Sequence, residues 1–181
     1  MKQIITAGMT APDFTFNTPW KQNIRLSDVA GERRTYLIFL RYMGCPLCQM
    51  KISRLKSDWG RFREADLNVV VVLQSEPENI TALVSEDEVP FYIACDPDEA
   101  LFRLYGVATG SIFRYATPSV IKKAMRAKKM GFSHGKSEGK EMQLPAVFLL
   151  HTDMNVAYAY YGRNVGDVPE NDDLLATASG A

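Results

Sequence analysis

The stretch from Tyr36 to Cys48 constrains what this chain can fold into more than any other. Tyr36-Leu37-Ile38-Phe39-Leu40 is a continuous apolar and aromatic run, the signature of a strand buried on both faces. A short turn through Met43-Gly44 follows, and then Cys45-Pro46-Leu47-Cys48 opens a helical pattern. Strand, turn, two cysteines and helix must therefore lie side by side, with both sulfurs at the junction.

Composition narrows the class. The chain has 181 residues, 46% hydrophobic and 23% charged, which fits one soluble globular domain spanning residues 1–181. Its 21 basic and 21 acidic side chains balance, so no global field favours nucleic acid or a membrane surface. No stretch approaches the ~20 apolar residues needed to cross a bilayer. The N-terminus lacks the apolar run and small-residue cleavage pattern of a signal peptide, which makes the cytoplasm the expected compartment. Three cysteines are too few for a disulfide scaffold; a close pair plus a single one points to catalysis or metal binding.

Periodicity supplies the other elements. Phe14 and Phe16 alternate with polar residues, and Asn23–Leu26 suggests a second short strand, with Ser27-Asp28 capping a helix. A helix is expected from Pro46 to about Glu64. Ile52, Leu55, Trp59 and Phe62 form its buried stripe, and Lys51, Arg54, Lys56 and Arg61 lie between them. Val69–Leu73 reads as a fully buried parallel strand, Glu76–Ser85 as a helix and Phe91–Ala94 as a third strand. A helix through Ala100–Tyr105 ends at Gly106. Ala146–Leu150 and Val156–Tyr161 form a hairpin on the sheet edge, and Asn171-Asp172-Asp173 caps a last helix from Leu174. The expectation is an α/β layer with a mixed central sheet flanked by helices.

Residues 107–143 interrupt this plan as a basic insertion, carrying eight basic side chains against Glu138 and Glu141 alone. Pro118–Met130 is expected to be helical, with Val120, Ile121, Ala124 and Met125 on one side, and Gly131–Gly139 to be a flexible polar loop. Its basic face is either solvated or a docking surface for an acidic partner or anionic headgroups. No stacking aromatics accompany the charges, which argues against nucleic acid.

The chemistry centres on the cysteines. With Pro46 as first helical residue, Cys45 takes the N-cap position, where the amides of Leu47 and Cys48 and the helix dipole favour thiolate. Cys48, one turn inside, suits a resolving thiol. Arg41 offers positive charge and Tyr42 a hydroxyl to a reacting sulfur or oxygen. A tetrahedral zinc site needs four ligands; the pair supplies two, and Cys95, His134 and His151 have no second paired spacing. Two plainly buried core cysteines remain the bland alternative. Cys95, beside Asp96-Pro97, reads as a small buried apolar residue, and the two histidines as surface or core residues.

The order of elements is similar to that of the thioredoxin fold. Ala11-Pro12-Asp13-Phe14, Gly44-Cys45-Pro46-Leu47-Cys48, Leu104-Tyr105-Gly106 and Gln143-Leu144-Pro145-Ala146-Val147-Phe148, with the basic insertion before Gln-Leu-Pro, resemble the peroxiredoxin-like branch of the alkyl hydroperoxide reductase/thiol-specific antioxidant superfamily. The resemblance runs from about residue 10 to 175. It implies a thiol-dependent peroxidase or related reductase that needs no cofactor, with Cys45 attacking and a thioredoxin- or glutathione-type thiol as reductant. By position, Pro145 stands for the cis-proline that faces the disulfide in thioredoxin-like proteins, and Leu144 for the residue whose backbone pairs with substrate. Where peroxiredoxins carry Pro-x-x-x-Thr/Ser-x-x-Cys, this chain has Ile38 and Tyr42, and Pro145 stands near the family's arginine place. Those departures favour reduction of a disulfide through a Cys45–Cys48 cycle. The alternatives are reduction of hydroperoxides or lipid endoperoxides through a Cys45 sulfenic acid, and a non-enzymatic redox-sensitive binding domain.

Overall fold

The computed structural model describes residues 4–111 and 117–180. Its centre is a five-stranded mixed sheet, β5-β4-β3-β6-β7, of which β3 is Arg34–Phe39, β4 Leu67–Leu73, β5 Tyr92–Cys95, β6 Ala146–Leu150 and β7 Val156–Tyr161. β3, β4 and β5 run parallel; β6 pairs antiparallel with β3, and β7 with β6. β1 (Thr15–Phe16) and β2 (Ile24–Arg25) form a separate short ribbon.

The period-2 alternation of strand side chains divides the core between the two faces of the sheet. Tyr36, Ile38, Val69, Val71, Ile93, Val147 and Leu149 point to one face. Helices α2 (Pro46–Ser57), α3 (Trp59–Glu64) and α7 (Asn171–Gly180) cover it with Ile52, Leu55, Phe62 and Leu174. Leu37, Phe39, Val70, Val72, Ala146 and Phe148 point to the other, under α1 (Leu26–Glu32) and α5 (Ala100–Leu104). Fully burying one such side chain contributes about 1.5–3 kcal/mol. That is why the interior strands read as unbroken apolar runs. Cys45 and Cys48 belong to the first face's core.

Several expectations change in detail. The long cysteine helix breaks at Asp58, whose ψ of 7° leaves the helical basin. The Asp58 carboxylate there accepts from Asn171 Nδ2 at 2.8 Å. The Glu76–Ser85 helix shortens to α4 (Pro77–Thr81), and α1 begins at Leu26, ahead of Ser27-Asp28. Gly106 does end α5, with a φ of +65°. In α6 (Pro118–Lys129) the buried positions are Val120 and Ala127 with half-buried Lys123 between them. Ile121 and Met125 are 53% and 60% exposed, so of the apolar side expected from the sequence only Val120 packs, and the buried face turns through Lys123 to Ala127 instead. Among the described residues no helix is long and apolar enough to cross a membrane.

Candidate functional site

The parallel strands end where the cysteines begin. Leu40 still bonds to β4, its amide donating to Val72 O, and the chain then turns so that Cys45 N–H donates to Tyr42 O. Cys45 is the N-cap of α2, with extended backbone (φ −78°, ψ 122°) and Pro46 at the first helical position. The amides of Leu47 and Cys48 face its sulfur without the geometry of a regular capping hydrogen bond. Cys45 has no exposed surface.

Burial alone would push the Cys45 thiol up. A hydrogen bond from the Cys48 thiol, the charge of Arg41 and the amides of Cys48 and Leu47 outweigh it and bring the thiol down to about 6. Cys48, also buried, is driven well upward by its own desolvation and by the Cys45 sulfur beside it. One sulfur is thus held as thiolate and its neighbour as thiol, the division of labour that attack and resolution require. Alkylation of Cys45 by a small reagent should rise through a midpoint near pH 6, as a rate-against-pH titration reads out. A midpoint above pH 8, as for an ordinary thiol at ~8.5, would contradict this electrostatic account.

Arg41 lies beyond the last residue of β3, so strand alternation does not govern where it points. Its side chain is only 6% exposed. Nη2 donates to Cys45 Sγ at 2.9 Å, while Nη1 donates to the Glu141 carbonyl at 2.7 Å and to Glu141 Oε2 at 3.2 Å. The guanidinium that the resemblance sought near Pro145 reaches the sulfur from the end of the central strand instead.

Tyr42 is buried, and its hydroxyl does not stand open toward a reacting atom. It donates to Glu141 Oε1 and lies 3.1 Å from His134 Nε2. Burial and this bond to a carboxylate push the phenol strongly upward. Burial would also raise the Glu141 carboxyl, yet the Tyr42 hydroxyl and the Arg41 charge bring it below the usual range. Glu141 and His134 are the site residues that the sequence did not single out. They lie 99 and 92 residues from Tyr42, and neither stands in a motif.

The segment holding them is a hydrogen-bonded strap over the cysteine turn, not a loose loop. Gly135 N–H donates to Gly44 O at 2.8 Å. Glu138 accepts from Ser75 Oγ at 2.8 Å, Glu76 N at 3.0 Å and Asn79 Nδ2 at 2.6 Å. Ser75 Oγ in turn accepts from Met43 N. Lys140 N donates to Gln74 Oε1 at 2.8 Å, and its ammonium pairs with Glu99.

Leu144 and Pro145 sit differently from their expected places. Among the described residues there is no cis peptide bond, so the Leu144–Pro145 bond is trans. Leu144 N–H donates to Ala108 O at 3.1 Å, and Leu144 O accepts from Gln143 Nε2 at 3.3 Å. The backbone expected to pair with substrate is already satisfied within the protein. Pro145 packs against Gly162 and lines a cavity that Cys48 also lines. Cys95 ends β5 half-buried, its thiol pushed up to about 12 by burial and by Glu76, Glu78 and Glu138.

Solved structures share this architecture at low sequence identity. A peroxidoxin of Mycobacterium tuberculosis superposes with a TM-score of 0.72 at 16% identity, covering 97% of each chain. A peroxiredoxin-like protein of Aquifex aeolicus gives 0.71 at 16% identity, over 98% of this chain and 88% of its own. A yeast mitochondrial 1-Cys peroxiredoxin gives 0.68 at 14%, over 95% and 74%. No curated protein sequence matches the chain. Residues 7–159, however, match the AhpC/TSA family, so the chain belongs to that family and is a thiol-dependent oxidoreductase or peroxidase of thioredoxin-like fold.

Proposed function

We propose that the protein reduces a small electrophile, best represented by a hydroperoxide, through Cys45, and that Cys48 resolves the oxidised sulfur. The observation that carries this reading is the Arg41 guanidinium 2.9 Å from a Cys45 sulfur that has no exposed surface. A buried thiolate beneath a strap suits a reagent of a few atoms better than a protein disulfide. A guanidinium on the sulfur is also placed to stabilise charge developing on an oxygen that leaves there. The thiolate would attack the distal peroxide oxygen; the O–O bond breaks, leaving Cys45 as sulfenic acid and an alkoxide that takes up a proton. Cys48 then attacks the Cys45 sulfur, the S–O bond breaks, and water leaves from the closed disulfide.

Disulfide exchange is the second reading. It is favoured by the Cys48 thiol that donates a hydrogen bond to the Cys45 sulfur, an arrangement equally suited to resolving a mixed disulfide. Either cycle needs an external thiol to restore the dithiol. The yeast 1-Cys peroxiredoxin is resolved via glutathione/thioredoxin systems, and we propose a reductant of that type here. A reducing cytoplasm is the compartment that suits three unpaired cysteines. The exposed Lys122, Arg126, Lys128 and Lys129 of α6 offer an acidic partner its landing place.

Rapid mixing of reduced protein with hydrogen peroxide tests the choice. Cys45 should oxidise at least ~10²-fold faster than a free thiolate, as expected for a preorganised donor at the reacting sulfur. Cys48→Ser should stop at a sulfenic acid that dimedone labels, while the unmodified protein closes to the disulfide. Oxidation no faster than a free thiol, together with a stable adduct between Cys48→Ser protein and a small disulfide, would transfer the assignment to disulfide exchange.

A further inference from the structure

Lys51 lies one turn after Cys48 on α2 and is 6% exposed. Its Nζ donates to Pro169 O at 2.8 Å and to Asn171 Oδ1 at 2.7 Å, neither of which carries charge. Glu170, the nearby carboxylate, is paired instead with Arg54 at 2.5 Å and Lys123 at 3.6 Å. A neutral amine has two protons to donate and one lone pair. Here both donations are used by neutral oxygens, so the uncharged form is satisfied and its lone pair remains to accept a proton.

Lys51 and Cys48 line one cavity, whose other charged wall groups are Arg41, Arg54, Lys123 and Glu170. Its volume of about 30 Å³ has room for a water molecule or two. Arg54 Nη2 is buried without a hydrogen-bond partner among the described residues, so the wall presents a donor that a water would satisfy.

We propose that Lys51 is the proton acceptor for Cys48, taking the thiol proton through water in this cavity as Cys48 attacks the oxidised Cys45. The proposal rests on Cys48 being the resolving thiol. In the step, the Cys48 S–H bond breaks and its proton passes to the Lys51 amine. The Cys48 sulfur forms the S–S bond, and the group on Cys45 leaves with its electron pair, a departing hydroxide taking a proton from solvent to become water. No external oxidant is needed beyond the one already spent on Cys45. On reduction the same proton returns to Cys48.

Electrostatics agree with the geometry. Burial lowers the Lys51 ammonium, Glu170 and Asp58 raise it, Arg54 and Lys123 lower it, and the balance is about 7. The amine is therefore substantially neutral when Cys48, whose thiol lies well above its ordinary range, must lose its proton.

The test isolates closure from peroxide chemistry. Methyl methanethiosulfonate places a methylthio group on Cys45, and attack by Cys48 releases methanethiolate at a rate that a thiol reagent follows. In the unmodified protein the closure rate should rise through an inflection near pH 7. In Lys51→Met, and in Lys51→Gln, which keeps donors for Pro169 and Asn171 but has no base, the inflection should vanish and the rate at pH 8 should fall ~10²-fold. A Lys51→Gln protein that keeps both inflection and rate overturns the proposal and leaves Lys51 as an anchor for residues 169–171. If Cys48→Ser releases methanethiolate as fast as the unmodified protein, the resolving role of Cys48 falls, and this inference with it.

Discussion

Arg41→Met is expected to slow oxidation of Cys45 by hydrogen peroxide ~10²-fold or more at neutral pH, the loss typical of removing one donor from a developing charge. Two effects combine in that number, and they separate with pH. Arg41 is one of the groups that lower the Cys45 thiol, so without it the thiolate forms only at higher pH. Arg41 Nη2 also sits on the sulfur itself, where the proposed reaction would bring one oxygen in and send another out. Raising the pH well above the variant's own midpoint restores the first effect and not the second. A variant that recovers the full rate at pH 9 would confine Arg41 to thiolate formation. A deficit that persists there places it in the transition state. Arg41→Lys should fall between the two, because an ammonium keeps the charge but cannot reach both Cys45 and Glu141 as the planar fork does.

That arginine also marks where the sequence stops being informative. Strands β3 and β4 are legible because both their faces are buried, which leaves only apolar residues over Tyr36–Leu40 and Val69–Leu73. The cysteine turn is legible because Pro46 fixes the helix start and so puts Cys45 at its cap. Arg41 follows the end of β3, where period 2 no longer says which way a side chain points. Charge alone puts Lys51 among the outward-facing residues of its helix. Its spacing says otherwise: it stands three residues after Cys48 and four before Leu55, both buried, on the same helical face. The same period, read through Val120, Lys123 and Ala127, turns α6 to its observed packing face. Glu141 and His134 carry no local signal, since their partners on the cysteine turn lie some ninety or more residues earlier in the chain.

The strap gives the second large effect. A Cβ added at Gly44 would fall well inside contact distance of the Lys136 carbonyl oxygen, 3.0 Å from the Lys136 amide nitrogen and 3.1 Å from the Gly135 carbonyl carbon. These are backbone atoms, so no side-chain rotation relieves the overlap. Gly44 does not have a positive φ, so alanine suits its backbone and the whole effect reports on the strap. Gly44→Ala should therefore lift residues 135–136 and lose the hydrogen bond from Gly135 N–H to Gly44 O, at a cost of about 1–3 kcal/mol. For a chain of this size that lowers Tm by ~2–4 °C per kcal/mol. With the strap lifted, Cys45 should react more than ~10-fold faster with a bulky disulfide, because an opening that costs even ~1.4 kcal/mol less is tenfold more populated. Its rate with hydrogen peroxide should not rise, since Arg41 is held in part by Glu141 on the same segment. Glu138→Ala loosens the strap from its other end, removing the acceptor for Ser75, Glu76 and Asn79, and should shift the ratio of the two rates the same way. If both variants leave that ratio unchanged while Tm falls, the strap does not control access to the sulfur. A rising ratio would mean that closing the strap is what selects small electrophiles over large ones at an otherwise versatile thiolate.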